Sequence, residues 1–343
     1  MNTKNTAFAT AIICWQKRYG RHNLPWQCDN PYHIWLSEIM LQQTQVTTML
    51  PYYQRFLRRF PDVHRLARAH TESVMAVWSG LGYYARARHL HATAKIIACK
   101  GFPQNAASWQ TLPGVGKSTA AAITIFAGGG HHAILDGNVK RVLTRVFAIE
   151  QPTNKAATIH TLWKLADSLL PTHNIKPYTQ GLMDLGATVC VRVSPRCEAC
   201  PLSKQCLARQ RGIERRLPHR SPRPIKSVRH IAMALIYHHN KVWLQKRPHA
   251  GIWGGLWSLP EKEATADLRD YCCKKFGDTL TPREEMAFTH TFTHYHLHAK
   301  VLCYACYKPP TSSPTAKWMQ KGALADAALP APIKKLLLAF FAP

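Results

Sequence analysis

The sequence has 343 residues, with 45 Lys+Arg against 18 Asp+Glu and a formal net charge of +27. A hydrophobic fraction of 46% and an aromatic fraction of 10% exclude a disordered polycation. What remains is a chain long enough for two cores and basic enough to attract polyanions, nucleic acid before anionic membrane.

In chain order, Phe8, Ile12 and Trp15 at helical spacing predict an amphipathic helix over 7–15. No small-residue cleavage site follows it, and no apolar run approaches the roughly 18 residues of a membrane helix. The expectation is a cytoplasmic protein, associated with the nucleoid in a bacterium, with no membrane partner. Its 11 cysteines then call for metal ligation or burial, not disulfides.

The first 208 residues read as mostly helical, with apolar spacings of three and four through 34–46, 74–78, 120–125 and 162–170. Glu38 lies in the first of these, with Trp35, Leu41 and Gln42 on its helical face. Burial there would raise its pKa and leave a protonated acid near neutrality. Next, 112–119 reads Leu-Pro-Gly-Val-Gly-Lys-Ser-Thr, ending like a phosphate-binding P-loop. That motif needs glycine at 111, where Thr111 stands, and a preceding strand, which is missing. The alternative is a helix–hairpin–helix, in which Gly114, Val115, Gly116 and Lys117 bring backbone N–H groups to a DNA phosphate.

Asp136 follows at an expected helix start, where backbone N–H groups and nearby Lys140 and Arg141 would keep it ionised. A protonated acid beside an ionised one is what N-glycosidic cleavage needs. The structural alternatives are a plain N-cap for Asp136 and a salt-bridged core position for Glu38. Cys190, Cys197, Cys200 and Cys206 then give C-x6-C-x2-C-x5-C. Four thiolates so spaced suit a tetrahedral zinc or a [4Fe–4S] cluster. The outer gaps of six and five favour iron–sulfur, though spacing alone does not decide.

Residues 209–228 form a basic linker, expected to be extended, with Pro218, Pro222 and Pro224 among its arginines. From 229 to 343 the texture changes to a smaller α+β domain. Strands are expected over 230–237, 241–245 and 296–307, and helices over 264–275 and 332–341. Cys303 and Cys306 fall on opposite faces of the last strand, which opposes a second metal site.

The hairpin, an acid some twenty positions on and the four-cysteine spacing together resemble the endonuclease III superfamily of base-excision DNA glycosylases. The stretches LPW (24–26), SEIMLQQTQV (37–46), GLGYYARAR (80–88), LPGVGKSTA (112–120), ILDGNVKRV (134–142) and LMDLGA (182–187) resemble its adenine DNA glycosylase, or MutY, branch. The resemblance implies an all-α helix–hairpin–helix domain with a [4Fe–4S] loop and a C-terminal Nudix-like α+β domain. It implies excision of adenine opposite 8-oxoguanine or guanine in double-stranded DNA by a monomer, with repair or replication partners left unspecified. Glu38 and Asp136 would be catalytic, with Asn138 orienting them. Trp26, Ser118 and Asp184 match pocket positions, and Gln43, Thr44 and Tyr83 match residues that probe the stack. Phe292, Thr293 and His294 match the tip that reads 8-oxoguanine, with threonine in place of the family's serine.

Ser118 occupies the position where bifunctional relatives carry a Schiff-base lysine, so the implied chemistry is monofunctional. The acidic Nudix metal signature is missing after Pro260, so no pyrophosphatase activity is expected. Two other readings share the charge and the hairpin. A bifunctional oxidised-pyrimidine glycosylase and AP lyase is opposed by Ser118 and the C-terminal domain. A non-catalytic iron–sulfur DNA-binding protein leaves Glu38 and Asp136 without a role.

Overall fold

The computed structural model describes residues 3–219, 225–263, 265–277, 281–307 and 309–342. Part of the expected linker (Arg220, Pro222, Arg223, Pro224) and Ala264 lie outside the described residues. The chain divides into two compact units, Met1–Gln43 with Ala92–Arg223, and Thr44–His91 with Pro224–Pro343.

Helices come first: α1 (Thr3–Tyr19), α2 (Pro31–Leu41), α3 (Val46–Arg59), α4 (Val63–Arg68), α5 (Thr71–Trp78) and α6 (Ala85–Lys100). They continue as α7 (Ala106–Gln110), α8 (Lys117–Gly128), α9 (Gly137–Val146), α10 (Ala156–Ser168), α11 (Ile175–Thr188) and α12 (Leu207–Gln210). In the first unit, Phe8 and Ile12 of α1 pack with Val139, Val142, Leu182 and Leu185 of α9 and α11 in one buried cluster. Gly181 lets α1 come this close, since a Cβ there would meet Ile12 Cγ2 at 2.7 Å.

Two expectations need correction. The periodicity over 34–46 breaks: α2 ends at Leu41 and α3 starts at Val46, with Gln43 at φ +58° between them. The 209–219 segment is not extended either. It begins inside α12 and continues in turns from Arg211, and Leu217 is buried in the helical core with Ile213 packed against it. Apolar burial at these two positions overrides the proline and charge pattern that suggested a free tether.

The C-terminal segment carries β1 (Ser227–His238), β2 (Lys241–Lys246), β3 (Trp257–Ser258), β4 (Glu261–Lys262), α13 (Thr265–Phe276), β5 (Pro282–Thr291), β6 (Tyr295–Ala305), β7 (Ala316–Gln320) and α14 (Ala331–Phe340). The sheet runs β3-β2-β1-β6-β5, with β4 on β1 and β7 on β2. β1 and β6 are parallel, and β5 and β6 form an antiparallel hairpin. Leu268, Cys272 and Phe276, spaced by four on α13, cover Ala232, Ala234, Ile236, Leu302 and Tyr304. Cys306 joins this core while Cys303, also buried, does not. No helix among the described residues is long and apolar enough to cross a membrane.

Candidate functional site

Asn30 starts α2 by accepting the Tyr32 and His33 N–H groups, with Pro31 at the first helical position. The helix then buries Ile34, Trp35, Leu36, Ile39 and Met40, which leaves Glu38 partly buried among apolar neighbours. Desolvation, reinforced by the charge of Asp136, pushes the Glu38 pKa up to about 8. Asp136 caps α9: its Oδ1 accepts the Val139 N–H at 2.7 Å and its Oδ2 accepts the Asn138 side-chain amide at 3.2 Å. Burial nevertheless raises the Asp136 pKa, against those hydrogen bonds and the Arg141 charge that lower it. The N-cap expected from the sequence is present, but burial works against the capping bonds and the Arg141 charge that favour its ionised form. The result is a coupled pair of carboxylates that favours carrying one proton.

Ser118, in the first turn of α8, sits behind this pair. Its Oγ accepts the N–H of Leu135, the residue before Asp136, at 3.0 Å. Lys117 points elsewhere, with its Nζ 3.9 Å from the centroid of the Trp163 ring. Gly114 takes φ +79°, and Gly116 is the N-cap of α8 with no side-chain cap. Gln42 donates to the Gly114 carbonyl at 3.2 Å and to Thr119 Oγ1 at 3.3 Å. The hairpin therefore stays attached to the helix that carries Glu38. Gly114, Gly116 and Lys117 are exposed, as a backbone phosphate would require, while Val115 is buried.

Asp184 differs from its implied pocket role. It is fully buried, accepts both the Arg21 backbone N–H (2.8 Å) and guanidinium (2.6 Å), and also accepts Gln180 Nε2 at 2.8 Å. It ties down the segment leading to Trp26, itself only 8% exposed, so any influence on a pocket passes through that loop.

Two arginines hold the surroundings of this pair; sequence reasoning assigned Arg141 only a charge beside Asp136 and Arg145 no role. Arg141 donates to Asn138 Oδ1 (2.9 Å), to the Gly186 carbonyl (2.6 Å) and to the Cys190 carbonyl (2.7 Å). Arg145, 1% exposed, donates to the carbonyls of Leu217 (3.0 Å), Val191 (2.7 Å) and Arg192 (3.0 Å), and to Cys190 Sγ (3.3 Å). The available signal was spacing: 138, 141 and 145 share one helical face. Gly186 explains part of the LMDLGA stretch, because a Cβ there would meet Asn138 Cβ at 2.5 Å.

Cys190, Cys197, Cys200 and Cys206 line one cavity together with Arg145, Leu185 and Leu202. Burial, then the charge of neighbouring thiols, pushes the Cys200 pKa up to about 12, and burial raises Cys197 and Cys206 too. Among the described residues no group of three or more His, Cys, Asp or Glu side chains is arranged to hold a single metal ion.

In the other unit, Arg86 is buried under Tyr83, with its guanidinium 5.4 Å from that ring and donating to Thr44 Oγ1 at 3.1 Å. Tyr83 is 49% exposed at φ +48°; Gln43, the last residue of the first unit's opening segment, is exposed at φ +58°. Exposed non-glycine residues held in left-handed backbone are common where a side chain is aimed at a ligand. Phe292, Thr293 and His294 form the β5–β6 turn, closed by Phe292 N–H donating to Tyr295 O at 2.9 Å. The Phe292 ring packs on Trp253 (5.2 Å) and Tyr295 (4.8 Å), leaving Thr293 and His294 exposed at the tip.

Comparison with known proteins places these residues in context. Residues 36–167 match a family described as HhH-GPD superfamily base excision DNA repair protein, and residues 231–339 match a NUDIX domain. The adenine DNA glycosylase of Buchnera aphidicola subsp. Baizongia pistaciae (strain Bp) is 35% identical over 338 residues, covering 96% of this chain and 95% of that protein. Its counterpart from subsp. Acyrthosiphon pisum (strain APS) is 34% identical, covering 85% and 84%. Among solved structures, a thermostable thymine-DNA glycosylase superposes with TM-score 0.55 at 28% identity, over 61% of this chain and 98% of that one.

Proposed function

The chain belongs to the adenine DNA glycosylase family, and from that premise we propose that it hydrolyses the N-glycosidic bond of adenine mispaired with 8-oxoguanine or guanine. The observation that carries the mechanism is the coupled pair, in which Glu38 holds its proton up to about pH 8 in the field of Asp136. A proton from Glu38 passes to N7 of a flipped adenine as the C1′–N9 bond breaks, and the electron pair leaves with the base. The Asp136 carboxylate, oriented by Val139 N–H and Asn138, faces the positive charge growing on the sugar. Glu38, now ionised, takes a proton from the water that attacks C1′.

Ser118 offers no amine for an imine with the sugar, and Lys117, next to it in sequence, is held over Trp163. The proposed reaction is therefore hydrolysis without strand cleavage. Phe292, Thr293 and His294 would read 8-oxoguanine, while Gln43, Thr44 and Tyr83 would engage the opened stack. Gly114, Val115, Gly116 and Lys117 would position the backbone. The cytoplasm, at the nucleoid of a bacterial cell, is the compartment proposed.

Cys190, Cys197, Cys200 and Cys206 would hold a [4Fe–4S] cluster. They share one cavity, their crowded thiols favour positive charge, and Arg145 already directs a donor at Cys190 Sγ. When bound, such a cluster supplies iron–thiolate bonds that close the 190–206 loop beside the Arg141 and Arg145 donors.

Single-turnover release of adenine from a duplex with one A:8-oxoguanine pair tests the reading. Glu38→Gln is expected to slow release by about 10²–10⁴-fold. Equal rates for the variant and wild type would overturn the mechanism, and rapid nicking without alkali would overturn its monofunctional character.

A further inference from the structure

The loop 248–256 is held from two sides within its own unit. Arg88, on α6 five residues after Tyr83, donates from Nη1 to the Gly254 carbonyl at 2.8 Å. Glu72 on α5 accepts Trp257 Nε1 at 2.7 Å and Lys317 Nζ at 2.9 Å just past the loop. At Gly254 a Cβ would meet the His249 carbonyl oxygen at 2.2 Å, so this peptide has one place to be. Its neighbour Trp253 is buried at φ +57°, a backbone conformation that costs a bulky residue energy and needs restraint from outside. The Trp253 ring is the surface on which Phe292 and His290 rest, at 5.2 and 5.7 Å.

We propose that Arg88 is a positioning residue for reading the base opposite adenine. Through the Gly254 carbonyl it holds Trp253, and through Trp253 it holds the Phe292–His294 tip in register with Tyr83 on its own polypeptide segment. Arg86 sits under Tyr83 and Arg88 under the tip's support, so the GLGYYARAR stretch serves two readers of one base step. The assignment rests on the tip reading 8-oxoguanine, as proposed above. Without Arg88 the strained loop relaxes, the tip loses its register, and preference falls while the carboxylate pair, which shares no described contact with Arg88, is untouched.

The test compares wild type, Arg88→Gln, Arg88→Lys, Phe292→Ala and the Arg88→Gln/Phe292→Ala double variant. The readout is kcat/KM for adenine release from A:8-oxoguanine and A:G duplexes, with Tm of each protein. Arg88→Gln is expected to reduce the A:8-oxoguanine over A:G preference about tenfold, the usual scale for a lost charged hydrogen bond. Release from A:G at saturating enzyme should stay within about twofold. Arg88→Lys, which keeps a charged donor, should recover most of the preference and answers the case in which the glutamine variant folds poorly. The double variant should discriminate no worse than Phe292→Ala, because both changes remove the same readout. Equal loss on both duplexes, or additive loss in the double variant, would overturn the role of Arg88. A wild type that releases adenine without preferring 8-oxoguanine would instead overturn the reading of the tip.

Discussion

A carboxyl that keeps its proton to about pH 8 is a commitment with two measurable sides. On activity, the proposed role of Glu38 requires it protonated, so the single-turnover rate should hold through neutrality and fall as pH rises through about 8. On stability, the folded state binds this proton more tightly than the unfolded chain does. The burden of ionised Glu38 is therefore absent below the unfolded pKa, grows above it, and is complete above about pH 8. Glu38→Gln should slow adenine release by that same factor of about 10²–10⁴ yet raise Tm over wild type by more at alkaline than at acidic pH. A Tm difference independent of pH would show that the carboxyl titrates normally. The acid itself was legible in the sequence, because it stands in an apolar stretch with Trp35 and Leu41 on its helical face. The raised pKa of Asp136 was not, since the sequence shows the cap but not the burial that works against it.

At the scale of elements, α9 and α11 meet at one point where a glycine is required. Gly186→Ala would drive a Cβ into Asn138, whereas Gly137→Ala meets nothing within 4 Å. The first should cost about 1–3 kcal/mol, as overpacking typically does, and slow adenine release by displacing the Asp136–Asn138 pair. The second should be near neutral, and thermal melts with single-turnover rates on both variants decide this. Arg145 gives a second prediction of the same kind. It occupies carbonyls on both sides of the cysteine loop, and truncation to Met leaves buried acceptors unpaired, at roughly 1–3 kcal/mol for each. Iron content and visible absorbance of purified Arg145→Met should fall with Tm; a fully loaded, equally stable variant would show the loop holds itself. Parts of α1, α2, α5, α8, α10, α13 and α14 were readable from spacing, and the β1, β2 and β6 strands from alternation. The break at 42–45 was not, because Gln-Gln-Thr-Gln contains neither glycine nor proline. Nor could the bonds of Arg145 be foreseen, since its Leu217 partner lies 72 residues away in sequence.

Across the whole molecule, the proposed catalytic groups fall in one unit, while the groups proposed to engage the opened stack and the opposite base fall in the other, Gln43 excepted. Glu38, Asp136, Ser118 and the cysteine loop fall in one, and Thr44, Tyr83 and the 292–294 tip in the other. DNA is the substrate of the family's glycosylases, and charge is the means of attracting it. Many of the 18 acids are already engaged by bases, as in Glu72–Lys317, Asp184–Arg21, Glu261–Arg247 and Glu285–Lys300. The excess that remains is cationic and solvent-facing. Affinity for an undamaged duplex should therefore fall by about 10³–10⁵ between about 50 and 200 mM salt, if six to ten phosphates are neutralised. Lys117 sharpens the test. If its ammonium leaves the Trp163 face to meet a phosphate, Lys117→Ala should weaken binding to all sequences alike and lower the salt slope by about one. If it serves only as a cation over that ring, the slope will not change and Tm will drop instead. Fluorescence anisotropy across a salt series, on wild type and this variant, separates a hairpin built for phosphate from one that merely joins two helices.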